Sequence, residues 1–367
     1  MLLGEACSKC DHIATAPLRP DVAERLYLLY LAKGVAATTA IEGNTLSEDD
    51  VRLHLEGKLH LPPSKAYLQQ EVDNVLRASN TIASEMMNGA LAPLSSAQIM
   101  EWNRQLLHDL PRDPDIVPGE IRSHSVVVMR YRGAPAADCQ ILIDRLCDWL
   151  NAPEFRPVDV SSRMNWGILR AILAHLYLAW IHPFGDGNGR TARLMELQIL
   201  LDAGVPMPTA HLLSNFYNQT RSEYYRQLDY ASQSGGDILP FIEYALQGLV
   251  DGLKEQLEVV RGYQWEVAWR DLVFRTFSGR SGATEDRRRE LALALSTRMT
   301  PVALADVPDI NLRLSRAYHG KTVRTMQRDL QELIEMKLAR RIGSHSSALY
   351  EANRERILSF LPPRREG

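Results

Sequence analysis

The chain has 367 residues, 45% of them hydrophobic and 24% charged, and its formal net charge is −3. This length allows two or three domains with a sizeable core, whereas the net charge by itself indicates no class of partner. No apolar run reaches the length of a membrane span, and the first residues lack a basic-then-apolar signal peptide. We therefore expect a cytoplasmic protein that does not enter the membrane.

The four cysteines are too few for a disulfide framework in a chain of this length. Cys7 and Cys10, followed by His12, have a spacing that leaves zinc binding or redox chemistry open. No second Cys/His pair at metal-binding spacing accompanies them, so we expect reduced thiols.

The first strong helical pattern runs from Pro20 to Ile41 and ends at Glu42 and Gly43. Glycine is a natural helix terminator, so Glu42 lies in the last turn. That turn is the negative end of the helix dipole, which disfavours an acid there. Glu42 is therefore either solvated or paired with a cation.

Three further helical patterns follow, and we expect them to pack around a central helix. They cover Ser47 to Leu55 with Ser47 as N-cap, Lys65 to Met87, and Ser95 to Leu107 with Ser95 or Ser96 as N-cap. The helical patterns give way to β-prone sequence after Pro118. Ser125 to Met129 is β-prone, and residues 130–133 predict a turn before a helix over residues 137–150.

A nearly all-apolar helical segment from Ser162 to Ile181 belongs in the middle of a core. Pro183 disfavours helical geometry at His182, so the helix should stop there and leave the imidazole in a loop. Gly187 and Gly189 allow backbone N–H groups to turn toward one point, and a helix over residues 189–203 adds its positive end.

The loop therefore predicts a phosphate site. Arg190 and Arg193 lie on one face of the first helical turn, Asp186 suits Mg²⁺, and His182 is placed as a base. The alternative is an ordinary helix–loop–helix turn with a loop histidine. The concentration of a base, a metal-type carboxylate and two arginines in one loop favours the functional interpretation.

The stretch from His182 to Arg193 matches the HPFx(D/E)GNGRxxR signature and resembles Fic-domain proteins throughout. The resemblance implies a mostly helical bundle that transfers AMP from ATP to a Ser, Thr or Tyr hydroxyl of a target protein and releases pyrophosphate. It implies that His182 is the general base and that Asp186 holds Mg²⁺. The implied nucleotide-binding residues are Gly187, Asn188, Gly189, Arg190, Thr191, Ala192 and Arg193.

The same resemblance extends to three other stretches. Thr38 to Gly43 is similar to the family's (S/T)xxxE(G/N) inhibitory motif, which implies that Glu42 pairs with Arg193 and inhibits the enzyme. The hairpin near Ser125–Met129 resembles the flap that docks a target protein by strand addition, although it could be purely structural. Finally, Ser214, Asn218, Tyr224 and Tyr225 resemble a stretch that lines the adenine side of the pocket. Tyr225 is the best candidate to stack on the base, the alternative being simple packing.

Residues 280–367 contain 17 Lys and Arg against 11 Asp and Glu, a net of +6 that leaves −9 for the rest. After a linker at residues 278–282, we predict helices over residues 286–298, 301–305 and 321–337, and two β-prone runs over residues 338–342 and 348–351. This order resembles a winged helix-turn-helix. Arg324, Gln327 and Arg328 are placed to meet DNA, although many winged helices dock proteins instead.

The sequence thus predicts three regions: an N-terminal helical region with the inhibitory helix (1–110), a Fic core (111–277) and a winged-helix domain (278–367). Two other functions stay open. The signature does not separate AMP transfer from AMP removal or from transfer of another phosphate-containing group. The chain could also be a nucleotide-sensing DNA-binding regulator. The sequence leaves the target protein and a homodimer open.

Overall fold

The computed structural model describes residues 1–89, 91–128, 131–155, 160–298, 300–343 and 348–358. The chain forms two compact units, Met1–Glu258 and Val259–Gly367. The predicted boundary at residue 278 lies inside the second unit, because Trp269 and Phe277 pack into the same core as Leu291 and Leu330. The division into three domains stays a prediction. Among the described residues, none of the helices combines the length and the apolar character that a membrane span requires.

The first unit is built of helices and one small hairpin. Its helices are α1 (Leu2–Thr15), α2 (Pro20–Ile41), α3 (Glu48–Leu55), α4 (Ala66–Met87), α5 (Ser96–Leu106), α6 (Cys139–Leu150), α7 (Val160–Ile181), α8 (Asn188–Asp202), α9 (Met207–Ala210), α10 (Leu212–Gln219), α11 (Arg221–Gln233) and the first part of α12 (Leu239–Thr276). The hairpin consists of β1 (Val127–Val128) and β2 (Tyr131–Arg132).

Local capping signals account for several of the observed helix boundaries. Ser47 accepts a hydrogen bond from Asp50 N and completes a capping box with the Asp50 side chain, so α3 begins where predicted. Ser95 caps α5 by accepting from Gln98 N. Helix α2 ends at Ile41 as predicted, and Gly43 follows it with a φ of 106°, in the region that favours glycine.

Helices α7 and α8 form the centre of the first unit. Ile168, Ile172 and Leu176 of α7 are fully buried, and α7 packs along α8. Helices α2, α4 and α5 pack against α8. The signature loop between α7 and α8 is therefore held between two core helices, and this limits the positions that its side chains can take.

The predicted hairpin is present, with a strand at two positions where a turn was predicted. Val127 pairs with Arg132 and Val128 with Tyr131 in antiparallel register. Tyr131 and Arg132 were predicted in the turn and instead form β2, because they pair with Val128 and Val127. Residues 129 and 130 lie outside the described part of the chain, and with them the end of the predicted Ser125–Met129 segment.

The second unit contains helices and a three-stranded antiparallel sheet of order β3-β5-β4. In chain order its elements are the end of α12, α13 (Ala283–Ser296), β3 (Val302–Ala303), α14 (Leu312–Tyr318), α15 (Val323–Glu335), β4 (Ala339–Ile342), β5 (Leu349–Ala352) and α16 (Glu355–Leu358). The prediction of a helix over residues 301–305 was wrong, because Val302 and Ala303 pair with β5. The winged-helix assignment stays a prediction.

Cys7 and Cys10 are buried in α1 and carry free thiols. Burial raises the pKa of Cys7 to about 11 and that of Cys10 to about 12. Since the thiolate is the metal ligand and the nucleophile, this environment disfavours zinc or redox use of the pair.

Candidate active site

His182 lies at the end of α7 in a backbone conformation that non-glycine residues rarely adopt, with a φ of 48°. Its N–H still donates to Leu178 O at 2.9 Å, and Nδ1 lies 3.3 Å from Ala179 O. A proton on Nδ1 would donate to that carbonyl and leave Nε2 as the acceptor. Burial lowers the pKa of His182, so the imidazole is neutral near pH 7 and available as a base.

The buried guanidinium of Arg122 joins the hairpin to the backbone of His182. Its Nε donates to His182 O at 2.8 Å, and its two terminal nitrogens donate to His124 O and Ala134 O. The Arg122 N–H donates to Pro183 O at 3.0 Å. His124 and Ala134 flank the hairpin, so a single side chain holds both of its ends next to the histidine.

The loop after His182 is held by its own side chains. Asn188 Nδ2 donates to Phe184 O at 2.8 Å, and Asn188 Oδ1 accepts from Phe184 N at 2.9 Å. Gly187 has a φ of 77°, and its N–H donates to Asp186 Oδ1 at 2.6 Å. The Asn188 side chain is thus engaged within the loop, and its role as a nucleotide-binding residue stays a prediction.

Glu42 and Arg193 meet as the sequence predicted. Arg193 Nη2 donates to Glu42 Oε1 at 2.6 Å, while its Nε donates to Thr38 Oγ1 at 2.6 Å. A Cβ on Gly189 would lie 2.3 Å from Glu42 Oε1, so only glycine leaves room for this carboxylate. Glu42 therefore lies against the first turn of α8, at the positive end of the helix, where an anion is favoured. Its inhibitory role stays a prediction.

Both members of this pair are charged at neutral pH. Burial opposes ionisation of Glu42, but the charges of Arg193 and Arg190 and the hydrogen bond from Arg193 outweigh it and lower the pKa of Glu42. Burial likewise opposes protonation of Arg193, yet Glu42 raises its pKa. The Glu42 carboxylate therefore occupies an anion-binding position beside the loop.

Arg190 lies in a different environment from Arg193. Its Nη1 donates to Glu71 Oε1 at 2.6 Å and its Nη2 to Asp186 Oδ1 at 3.2 Å. Arg190 is 6% exposed and Glu71 is 8% exposed, so this ion pair is internal. Two of its guanidinium nitrogens are thus engaged by carboxylates, and its role as a nucleotide-binding residue stays a prediction.

A cavity of about 130 Å³ opens beside His182. Among the described residues, its lining brings together Glu42, His182, Gly189, Arg193 and Tyr225 from the predicted set. Its apolar wall is formed by Ile41, Ala179, Trp180, Tyr224 and Leu228, with Asp229 at the edge. An apolar cleft with a few converging polar groups is typical of a small-molecule site.

Several predicted residues do not line this cavity. Thr191 and Ala192 are fully buried in α8. Neither these two residues nor Ser214 and Asn218 are among the described residues that line the cavity. Tyr225 does line it, and its hydroxyl donates to Ile41 O at 3.4 Å. Tyr224 lines it as well, so the aromatic wall has two tyrosines where the sequence favoured one.

Asn103 on α5 was missed by the sequence analysis, as were Arg122 and Glu71. It is fully buried, its Nδ2 donates to Asp186 O at 2.9 Å, and its Oδ1 accepts from Gly119 N at 2.9 Å. An asparagine in an amphipathic helix carries no local sign of such a contact. Asn103, Arg122 and Glu71 thus hold the signature loop through contacts with Asp186, His182 and Arg190.

Asp186 has the donor chemistry for Mg²⁺. Its side chain is 43% exposed, and Oδ1 carries both of its contacts, with Gly187 N and Arg190. No group of three or more metal-type side chains occurs among the described residues. Because Mg²⁺ in phosphate sites is commonly held by one or two carboxylates and the phosphates themselves, a single Asp186 fits such a site.

Comparisons with known proteins agree on the fold and on the loop. The profile of the Fic/DOC family matches residues 93–200. The chain is 34% identical over 219 residues to protein adenylyltransferase fic-1 of Caenorhabditis briggsae, covering 59% of this chain and 39% of that protein. It is 33% identical over 234 residues to the Caenorhabditis elegans fic-1, covering 64% and 42%. The chain thus spans about two fifths of the length of these relatives.

Solved structures extend the likeness. A Fic family protein from Desulfovibrio desulfuricans superposes with a TM-score of 0.56 at 22% identity, over 96% of this chain and 93% of that one. Fic-1 of C. elegans superposes with a TM-score of 0.56 at 27% identity, over 71% and 72%. The helical Fic fold predicted from the signature is confirmed. The match to the Fic/DOC family covers residues 93–200 of this chain, which include the signature loop.

Proposed function

We propose that this protein transfers AMP from ATP to a hydroxyl group of a target protein and releases pyrophosphate. The oxygen of the target's Ser, Thr or Tyr forms a bond to the α-phosphorus, and the bond between the α-phosphorus and the bridging oxygen to the β-phosphate breaks. The relatives named protein adenylyltransferase support this reaction class. Removal of AMP remains an alternative outcome of the same site.

His182 is the general base in this proposal. The lowered pKa keeps the imidazole neutral, and the Nδ1 contact with Ala179 O leaves Nε2 to take the proton of the attacking hydroxyl. Arg122 holds the carbonyl of His182, so the strained backbone keeps the ring at the cavity. The target's main chain would align by strand addition along the hairpin next to this base.

The cavity supplies the nucleotide site. Tyr224 and Tyr225 offer aromatic faces to the purine, while Arg193 and the first turn of α8 at Gly189 attract the phosphates. Asp186 would hold Mg²⁺, which offsets phosphate charge when bound. ATP and Mg²⁺ are thus the substrate and the metal that these residues fit.

The observation that carries the proposal is the position of Glu42. Its carboxylate contacts Arg193 and Gly189, the two groups that face the cavity and favour phosphate oxygens. ATP bound while Glu42 stays in place would have its γ-phosphate displaced, which would move the α-phosphate out of line with the attacking hydroxyl. Small displacements of reacting atoms suppress transfer. A carboxylate in an anion site next to a base therefore supports the proposal of an autoinhibited nucleotide enzyme.

The test is AMP transfer by the full chain with Glu42→Gly. ATP labelled at the α-phosphorus, incubated with cell lysate, should label target protein about 10²-fold faster with this variant than with wild type. Glu56→Gly is the matched control, since Glu56 ends α3 as Glu42 ends α2, and its partners Lys58 and Arg52 are exposed. Equal labelling by all three proteins would contradict autoinhibition by Glu42.

Arg193→Ala tests whether the faster transfer requires a free Arg193 or only the loss of its pair with Glu42. It removes the partner of Glu42, but it also removes the cation that would hold the phosphates. We therefore expect no gain in transfer from Arg193→Ala, and a loss when it is added to Glu42→Gly. A gain equal to that of Glu42→Gly would mean that Arg193 does not bind nucleotide.

A further inference from the structure

Arg190 lies between two carboxylates that belong to different parts of the first unit. Glu71 comes from α4 and accepts from Nη1 at 2.6 Å, whereas Asp186 comes from the signature loop and accepts from Nη2 at 3.2 Å. The nearer contact is thus with Glu71. Arg190 and Glu71 are both almost fully buried, while the Asp186 side chain is 43% exposed.

Glu71 is itself held by a second contact. Asn44 Nδ2 donates to Glu71 Oε2 at 2.8 Å and to Leu68 O at 3.0 Å, and Asn44 Oδ1 accepts from Leu46 N. With one oxygen on Asn44 and the other on Arg190, the Glu71 carboxylate has a single orientation. Burial raises the pKa of Glu71, an effect that Arg190 and the Asn44 hydrogen bond oppose, and the carboxylate faces Arg190 from a fixed position.

The two carboxylates compete for one guanidinium. A buried arginine that loses its partner keeps its charge and needs another anion. If Glu71 were neutral, the carboxylate left to Arg190 would be Asp186, four residues earlier in the chain. An Asp186 oxygen that accepts fully from Arg190 has less negative charge to offer a cation.

We propose that Glu71 is a positioning residue that holds Arg190 and thereby leaves Asp186 available to Mg²⁺. The inference rests on the proposed function, in which Asp186 is the metal carboxylate. It assigns an electrostatic role to Arg190. Through its contact with Asp186, Arg190 determines how much of the Asp186 negative charge is available to a cation, and it does not contact phosphate. Glu71 would touch neither substrate nor metal.

The test measures how strongly Mg²⁺ promotes ATP binding, by calorimetry on the full chain carrying Glu42→Gly. The readout is the Kd for ATP in EDTA divided by the Kd in saturating Mg²⁺. Glu71→Gln should lower this ratio about tenfold, and it should leave the Kd in EDTA nearly unchanged. Glu85→Gln, on the same helix α4, is the matched control and should leave the ratio as it is.

A double-mutant cycle separates competition from a general loss of negative charge. In the presence of Arg190→Gln there is no guanidinium to release, so Glu71→Gln should change the ratio by less than about twofold. A simple field effect of Glu71 would instead give the same tenfold fall in both backgrounds. The double variant also replaces both members of the buried pair by neutral amides, so it keeps the test valid if Glu71→Gln alone folds poorly.

Asp186→Ala distinguishes the failure of this inference from failure of the metal assignment. If Asp186→Ala abolishes the Mg²⁺ effect but Glu71→Gln leaves it intact, the role of Glu71 is overturned and the metal assignment stands. Additive effects in the cycle would overturn the role of Glu71 in the same way. If Asp186→Ala has no effect, the metal assignment fails and the inference fails with it.

Discussion

Each compact unit contains an arginine–carboxylate cluster, and the two clusters differ in how completely their groups are paired. In the second unit, Asp329 is 1% exposed and accepts from Arg287 at 2.7 Å, Arg288 at 3.0 Å and Tyr318 at 3.2 Å. In the first unit, the Glu42 side chain is 26% exposed and contacts Arg193, whose Nη1 is buried without a hydrogen-bond partner among the described residues.

The difference indicates what each cluster is for. Asp329 joins α13, α14 and α15 and has its acceptor capacity used inside the unit, so it stabilises a packing arrangement. Arg193 borders a cavity and keeps an unused donor, so its pairing with Glu42 can be exchanged for another anion. Incomplete pairing next to a cavity is the feature that separates a binding site from a structural ion pair.

The largest effect that this comparison predicts concerns the histidine beside the first cluster. With Glu42→Gly as parent, His182→Ala should slow AMP transfer by about 10²–10⁴, because the attacking hydroxyl loses its base. Affinity for ATP should change little. Radiolabel transfer at saturating ATP measures the first, and calorimetry the second.

His319→Ala is the matched control, since His319 is an exposed histidine of the second unit. It should transfer AMP at the parent rate. Near-parental transfer by His182→Ala would mean that His182 is not the base and that the cavity beside the first cluster is not the catalytic site.

The second cluster should matter to stability and leave chemistry unaffected. Asp329→Asn removes a buried anion and leaves two arginines short of a partner, which should cost about 3 kcal/mol in the second unit. Hydrogen exchange of the α15 amides would report this as faster local opening. AMP transfer should stay at the parent rate. Protected α15 amides in this variant would mean that Asp329 does not stabilise the packing.

A smaller effect is expected in the pH dependence. Burial lowers the pKa of His182, an effect that Arg122 reinforces, while the Ala179 contact, Glu42 and Asp186 oppose it. The neutral form is the base, so kcat/KM for ATP should fall only as pH drops through a value below the ordinary 6.5. Rates measured with Glu42→Gly, which lacks one opposing charge, should keep this direction. An acid limb above pH 7 would contradict the burial argument.

The smallest effect concerns the exposed face of α15, which stays open as a DNA-binding surface. Arg324 and Arg328 are exposed, unlike the internally paired Arg287 and Arg288. If the second unit binds DNA, changing both exposed arginines to Glu should reduce the slope of log affinity against log salt by about 2. Full-length protein that binds no DNA at low salt would favour protein docking by this unit.

Local signals in the sequence account for several of the observed element boundaries. Proline at His182-Pro183, glycine after Glu42 and serine before α3 each act within one turn of the chain, and the observed boundaries follow them. The pairing of Glu42 with Arg193 was implied by the resemblance of two stretches to Fic-family motifs, and the structure shows the contact. Such signals need no knowledge of packing.

Apart from the Glu42–Arg193 pair, the groups that surround the loop depend on how distant helices pack together. Arg190 and Arg193 are indistinguishable as two basic residues three apart, yet α4 brings Glu71 to one and α2 brings Glu42 to the other. Residues 302 and 303 likewise form a strand because β5 lies beside them. Side-chain partners and strand pairing depend on which distant segments are brought together, and a local pattern contains no record of its neighbour in space.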